Sequence, residues 1–463
     1  GSPVFSSGRW FCYGSGHDSF QPDFFPEMPL PRHSSAHSWG ALAPFQIRSY
    51  RFQWPADLLT SWAFEMETLI LGWYMLVETN SVVMLTIFGA LLYVGTLIAP
   101  LVGVWSDRVG HRVMLTGMRS AYALVAGTLT TLAFTHTLKP EIVLVLAFFT
   151  GLLRPSDMGL RGAMIADTMP PGTLTAAMGI ARTTTDTARI FGSLTGAGLF
   201  AAIGIGPSYV AITTIYVIGA ILTWNAVRPD AAPEKHVAAD ADPDAPGTKL
   251  SPWRELWEGM VLVWNTPRLL AIVWYAFLLN FAVFPLTNGL MPYAAREIFH
   301  TDQKGLGYLM ASVALGAFIG SLGMTRSGMR VELAQLMIVA AVVWHILVLI
   351  FAQTTSLEAG AAMLVLCGFA QSLTMVCHTV ILLSASDQRY RGRIMGVRMM
   401  AIYSLPLGLL VAGGLINLIG YRTTASLYAV VGLAFTVLIA VRWRASLWQA
   451  RTFTEVPATS GGG

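Results

Sequence analysis

Charged side chains are scarce in this sequence, and their scarcity excludes a water-soluble fold for most of it. Asp, Glu, Lys and Arg make up only 12% of the 463 residues, whereas hydrophobic residues make up 54%. Soluble domains devote roughly a quarter of their residues to charge. Apolar runs of about twenty residues recur from Trp62 to Trp443, each long enough to cross a hydrocarbon core of roughly 30 Å. We therefore expect an all-α polytopic membrane protein.

Cysteine is almost absent as well. Cys12, Cys367 and Cys377 show no paired spacing, so neither a disulfide framework nor a zinc site is expected. The sequence shows no Ser/His/Asp arrangement, metal-ligand cluster or phosphate-binding glycine loop. We expect no catalytic residues, no metal, no cofactor and no enzyme activity. The net charge of +4 is scattered between apolar runs, which indicates membrane sidedness and not a nucleic-acid surface.

The apolar runs predict about twelve transmembrane helices in two halves of six. The predicted spans are 54–77, 82–105, 113–135, 141–164, 173–201 and 206–227, then 268–292, 305–326, 333–353, 357–384, 393–418 and 422–443. The corresponding domains are an irregular tail (1–47), a six-helix bundle (48–227), a cytoplasmic linker (228–267), a second bundle (268–444) and a tail (445–463). In the linker, apolar residues at helical spacing over 251–264 predict an amphipathic helix on the membrane surface. An early start of the seventh helix fits the spacing equally well.

Basic residues between the spans concentrate on alternate connections, as the positive-inside rule requires. One side carries Arg108, Arg112, Arg161, Arg228, Lys235, Lys249, Arg254, Arg326, Arg330, Arg389 and Arg391; the other carries Lys139, Arg296, Lys304 and Arg422. This asymmetry predicts that both termini are cytoplasmic. The membrane itself is expected to be a bacterial-type cytoplasmic membrane.

An internal repeat supports two similar halves. Met178-Gly179-Ile180 begins the fifth span and Met395-Gly396-Val397 the eleventh; Ile203-Gly204 and Ile419-Gly420 end the same two spans. Two six-helix repeats are typical of transporters, whose solute site lies near the midplane between the halves.

The connection between the second and third spans carries a recognisable motif. It reads Gly103-Val-Trp-Ser-Asp107-Arg108-Val-Gly110-His-Arg112 and resembles the loop signature of the major facilitator superfamily at every defining position. An acid in such a loop can accept charge-assisted hydrogen bonds and latch one gated state. The equivalent segment of the second half has Met324 where the acid would be, so the predicted cytoplasmic gate is asymmetric.

A narrower resemblance runs from Arg48 to Arg444. The segments Ser49-Tyr-Arg51-Phe-Gln-Trp, Arg182 to Gly198 and Arg391-Gly-Arg393-Ile-Met-Gly396 resemble the bacterial branch of this superfamily that exports siderophores, macrolides and drugs. The resemblance implies proton-driven efflux. The sequence also departs from a superfamily pattern: antiporters often carry a Gly-Pro pair in the fifth helix, whereas here Ser193 follows Gly192.

Several ionisable residues lie inside predicted spans, where each costs roughly 2.5–3.5 kcal/mol unless it meets a cavity or a partner. Glu65 and Glu67 are two apart on the first span and point about 200° away from one another, so they must have different surroundings. Arg154 and Asp157 share a face of the fourth span, and Asp186 and Arg189 share a face of the fifth. We expect these six residues to couple protons or to contact substrate, with simple helix-to-helix pairing as the alternative.

The second half offers milder polar residues for a substrate cavity: Asn280 and Asn288 on the seventh span, and Gln371 and His378 on the tenth. The leading hypothesis is a monomeric secondary transporter that exports an amphipathic small molecule in exchange for protons, in contact with membrane lipids. An importer, a uniporter or a non-transporting receptor of the same fold are the alternatives.

Overall fold

The computed structural model describes residues 42–226, 252–326, 332–384, 397–398 and 400–447, and these residues are almost entirely helical. In the amino-terminal half the helices are α1 Arg48–Thr79, α2 Val82–Leu91, α3 Ala99–Val109, α4 His111–Phe134, α5 Pro140–Thr168, α6 Pro171–Ile203 and α7 Ile205–Asn225. Then follow α8 Pro252–Asn265, α9 Pro267–Ala282, the short α10 Met291–Tyr293, α11 Gln303–Arg326, α12 Leu333–Phe351, α13 Leu357–Ser384, α14 Ser404–Ile419, α15 Tyr421–Arg442 and α16 Arg444–Leu447.

These helices coincide with the twelve predicted spans, which confirms the all-α polytopic fold. The second span is shared by α2 and α3, and a π-helical turn at Pro285–Gly289 interrupts the seventh; a further π-helical turn, Ala294–Ile298, follows the predicted end of the seventh span. Most of the tail 1–47 and of the linker 228–267, the start of the eleventh span and nearly all of the tail 445–463 lie outside the described residues. The division into five domains stays a prediction.

Within the described parts of the chain, eight helices are long and apolar enough to cross a membrane. They are Pro140–Thr168, Ile205–Asn225, Pro267–Gly289, Gln303–Met324, Leu333–Phe351, Leu357–Leu382, Met400–Ile419 and Tyr421–Arg442; Val82–Leu97 is a shorter apolar helix. The other predicted spans, α1, α4 and α6, belong to the amino-terminal half. They are more polar because they carry ionisable residues, including Asp57, Arg119 and Asp186, in their interiors.

The repeat reappears as matching helix boundaries. Gly204 separates α6 from α7 with φ 79°, and Gly420 separates α14 from α15 with φ 80°. Glycine populates positive φ without steric cost, so both turns use the same residue for the same reason. The linker helix α8 ends at Asn265, before Pro267 opens α9. It is therefore a separate helix, and its predicted place on the membrane surface stays a prediction.

The two halves meet along two helix pairs, α6 with α11 and α2 with α14. The packing is close: a Cβ atom on Gly307 would lie 2.5 Å from the Cβ of Ala197, and one on Gly413 would lie 2.2 Å from Oγ1 of Thr86. Each of these contacts lies toward the end of the bundle that the predicted topology places outside, called the outer end below.

Candidate functional site

Four charged residues of the amino-terminal half form one cluster, the buried charge cluster: Asp57, Arg119 and Asp157 are buried, and the Arg161 side chain is 12% exposed. Arg119, which is fully buried, donates hydrogen bonds to Asp57 and to Thr223. Arg161 lies 2.5 Å from Asp157 and 3.9 Å from Asp57. Two carboxylates and two guanidinium groups carry no net charge together, which lowers the cost of burying each. The cluster ties α1, α4, α5 and α7 together.

Sequence reasoning singled out Asp157 but missed Asp57 and Arg119. Both lie inside predicted spans, so the insertion cost that drew attention to Glu65 applies to them as well. The structure separates Arg154 from this cluster: its guanidinium donates to Thr68 Oγ1 (2.9 Å) and lies 4.8 Å from the centroid of the Phe64 ring. Arg154 and Asp157, which share a face of the same helix, therefore have different partners.

Glu67 is buried and faces α7. Its carboxylate accepts a hydrogen bond from the Tyr216 hydroxyl (2.8 Å) and lies within electrostatic reach of Arg154. It is one of the residues that fix α1 against α7.

Glu65 faces the opposite way, toward α6, as the helical geometry predicted. Its Oε1 atom lies 3.9 Å from Nε of Arg189, and the two side chains are 19% and 25% exposed. Arg189 also donates a hydrogen bond to Oδ1 of Asn288 (3.2 Å) in the carboxy-terminal half. The three residues form what we call the interface relay. Unlike the buried charge cluster, it joins the two halves and remains partly accessible.

Local structure explains both ends of the relay. Gly192 lets α6 approach α1 closely, since a Cβ there would lie 2.7 Å from the Cβ of Glu65 and 3.0 Å from the Trp62 carbonyl oxygen. Asn288 stands in the π-helical turn Pro285–Gly289, and such turns often occur at functional sites. Asp186, one turn before Arg189, is buried and pairs with Arg182 at 3.3 Å, so it is not part of the relay.

The remaining polar candidates of the second half lie apart from the relay. Asn280 donates to the Ala276 carbonyl of its own helix (2.8 Å), and His378 Nε2 lies 3.2 Å from the Ile272 carbonyl oxygen. The His378 Nδ1 and Gln371 Oε1 atoms are buried without a hydrogen-bond partner among the described residues. Both atoms belong to side chains of α13.

The loop motif is anchored to two helices of its own half. Gly110 adopts φ 95° between α3 and α4, a conformation that favours glycine. Arg112 donates to the carbonyls of Trp224 (3.2 Å) and Ala226 (3.0 Å) at the end of α7. His111 Nδ1 lies 2.6 Å from Oδ2 of Asp167 on α5. Arg108 is exposed, a Cβ atom on Gly103 would meet no atom within 4 Å, and the Asp107 side chain lies outside the described residues.

At the outer end, Arg296 connects the halves. It donates to the Leu76 carbonyl oxygen (2.9 Å) and to Oδ1 of Asn80 (2.6 Å) at the end of α1. Asn80 ends α1 in the left-handed conformation, φ 49°. The Leu76 carbonyl oxygen also accepts the backbone N–H of Asn80 (3.0 Å), so Arg296 adds a second donor to this helix terminus. We call this contact the outer latch.

A bundle of apolar helices in two similar halves, with buried charge in one half and a polar relay between them, defines a polytopic membrane transporter. The family model described as Major Facilitator Superfamily matches residues 54–402 and also 273–459. The chain belongs to this superfamily.

Known relatives and structures are consistent with this membership. The chain is 24% identical over 349 residues, 72% of this chain and 80% of the relative, to the "Multidrug efflux pump Tap" of Mycolicibacterium fortuitum. A protein of the same name from Mycobacterium bovis is 25% identical over 186 residues, 40% of this chain and 44% of the relative. The nucleoside transporter NupG superposes with a TM-score of 0.64 at 14% identity, covering 87% of this chain and 99% of that chain. A POT family transporter in complex with a thioalcohol-conjugated peptide gives 0.65 at 12% identity, with 85% and 96% covered. These solved structures share the fold alone.

Proposed function

We propose that this chain exports amphipathic small molecules by alternating access, in exchange for protons, across a bacterial-type cytoplasmic membrane with both termini inside. The interface relay carries the proposal, because it is a partly accessible carboxylate and guanidinium pair that also bonds to the opposite half. The drug-exporting relatives support the direction of transport. All three relay residues come from one chain, so a monomer suffices.

The relay links protonation to the contact between the halves. When Glu65 is ionised, it attracts Arg189 and neutralises its charge. When Glu65 takes up a proton, that attraction is lost, and Arg189 is free to change its distance from Asn288 or to meet a solute. A proton that favours one arrangement of Arg189 shifts the equilibrium between inward and outward states.

The buried charge cluster serves a different purpose in this proposal. Its four residues neutralise one another within the amino-terminal half, and Asp157 and Arg119 have no solvent exposure. It keeps the half rigid while the relay changes. Asn280, Gln371 and His378 line the solute path, and the motif from Gly103 to Arg112 forms the inner gate.

The test uses the purified full-length chain in proteoliposomes, with ethidium as a fluorescent lipophilic cation and an imposed pH gradient. We expect Glu65→Gln to abolish gradient-driven ethidium movement while exchange of ethidium across the membrane at equal pH persists. Glu78→Gln is the matched control, because Glu78 is an exposed glutamate at the end of the same helix. Wild-type transport that survives collapse of the gradient, or normal gradient-driven transport by Glu65→Gln, would refute proton coupling at this site.

A further inference from the structure

A preformed apolar groove lies on the carboxy-terminal half, away from the interface relay. It is formed by α9, α14 and α15 and has a volume of about 740 Å³. Aromatic and aliphatic side chains line it, among them Trp274, Phe281, Val431 and Phe435. Trp274, Val431 and Phe435 are each between 39% and 50% exposed, so the groove is open to its surroundings along its length.

The groove is long enough for a lipid chain. It follows α15 from Leu427 to Trp443, a distance of about 24 Å at 1.5 Å per residue. One leaflet of a bilayer contributes roughly 15 Å, half of a 30 Å hydrocarbon core. An acyl chain that enters at the Trp443 end therefore has apolar wall beside it down to the midplane and beyond.

The aromatic wall is held in place before any ligand binds. Phe281 stacks on Phe277 with ring centroids 6.2 Å apart, and on Tyr428 at 5.8 Å. The Tyr428 hydroxyl donates to the Gly408 carbonyl oxygen on α14 (2.8 Å). A ligand that fills the groove does not have to order these rings, which reduces the entropic cost of binding.

Charge marks one end of the groove. Arg442 lines it there, with its guanidinium carbon 5.5 Å from the centroid of the neighbouring Trp443 ring. Helices α9, α14 and α15 contain no acidic residue. Arg268 in the first turn of α9 and Arg444 in α16 add positive charge near this end, since α16 packs against α9. The Arg268 Nε atom is buried without a hydrogen-bond partner among the described residues.

We propose that this groove binds the acyl chain of an anionic phospholipid, with the lipid phosphate held at Arg442. An arginine beside an indole ring at a membrane boundary is suited to a phosphate, because the guanidinium offers several donors and the ring lies at headgroup depth. The bound lipid would bridge α9 and α15 in the cytoplasmic leaflet. This site is independent of proton coupling at Glu65.

The probes are phosphatidylglycerol and phosphatidylcholine with the same brominated acyl chains, titrated into the purified full-length chain in detergent while tryptophan fluorescence is followed. We expect phosphatidylglycerol to quench at about fivefold lower concentration than phosphatidylcholine, the equivalent of ~1 kcal/mol for one basic residue at a lipid surface. Trp274→Phe should reduce the quenching amplitude for both lipids, because Trp274 lines the groove.

Arg442→Gln should raise the phosphatidylglycerol midpoint about fivefold, to that of phosphatidylcholine, and Arg442→Lys should keep most of the preference. Arg422→Gln, at the opposite end of the same helix, is the matched control and should change neither midpoint. Val431→Phe fills the groove and should weaken the binding of both lipids equally.

Three results would overturn the proposal. Equal midpoints for the two lipids in the wild type would exclude headgroup recognition, and an equal effect of Arg422→Gln would exclude Arg442 as its location. Light scattering that shows a dimer, dissociated by Val431→Phe, would assign the groove to a second copy of the chain.

Discussion

Removal of Arg119 offers the sharpest test of the buried charge cluster. Arg119 has no exposed side-chain surface, and its two hydrogen-bond partners, Asp57 and Thr223, lie on different helices. Arg119→Met leaves the Asp57 carboxylate buried with Arg161 as its remaining cation, 3.9 Å away. Loss of one partner from a buried ion pair typically costs about 3–5 kcal/mol. We expect Arg119→Met to lower the free energy of unfolding by that amount.

Arg182→Gln is the matched comparison. Arg182 forms an ion pair with Asp186 at 3.3 Å in the same half, but its side chain is 56% exposed. Asp186 is only 2% exposed and would lose this partner, but solvent screens the pair on the Arg182 side, so this variant should lower the free energy of unfolding less than Arg119→Met does. The measurement is unfolding of the purified protein in mixed micelles of increasing SDS fraction, followed by circular dichroism and tryptophan fluorescence.

A double variant separates loss of the pair from loss of packing. Asp57→Asn with Arg119→Met leaves no uncompensated carboxylate, and Arg161 keeps Asp157 at 2.5 Å. The double variant should therefore be more stable than Arg119→Met alone. The cluster does not act as a compensated network if Arg119→Met lowers the free energy of unfolding no more than Arg182→Gln does. The same conclusion follows if the loss in the double variant equals the sum of the losses in Asp57→Asn and Arg119→Met.

Two further predictions concern the contact between helices. Gly192→Ala places a methyl group 2.7 Å from the Glu65 Cβ, so it should lower the free energy of unfolding by about 1–3 kcal/mol through overpacking and should disturb the relay. Gly198→Ala is the control and should be neutral, because its methyl group meets nothing within 4 Å. SDS unfolding and ethidium transport measure both variants, and equal effects would contradict the close approach of α1 and α6. Arg296→Ala removes the outer latch. It should increase the rate at which a reagent added on the outer side alkylates a cysteine introduced at Thr86, whereas Lys304→Ala, on the exposed start of α11, should not. Unchanged alkylation in Arg296→Ala would show that the latch does not hold the outer end closed.

The sequence alone determined the number of membrane spans and their helical character, because both follow from local properties. A run of about twenty apolar residues crosses a membrane whatever its neighbours are, and the two Ile-Gly helix ends recur because the same backbone conformation is needed twice. The positions of the ionisable residues along the sequence likewise showed that they are concentrated in the spans of the first half. Helical geometry also required Glu65 and Glu67 to have different surroundings.

Only the tertiary structure decided which residue on another helix each charge contacts. An ionisable residue inside a span indicates that a partner must be present, but the identity of the partner depends on how neighbouring helices are rotated and packed. Arg154 and Asp157 share a helical face, yet Arg154 donates to Thr68 on α1, whereas Asp157 pairs with Arg161 one turn along its own helix. The relay from Glu65 through Arg189 to Asn288 joins residues 99 and more positions apart, a separation at which helical periodicity carries no information.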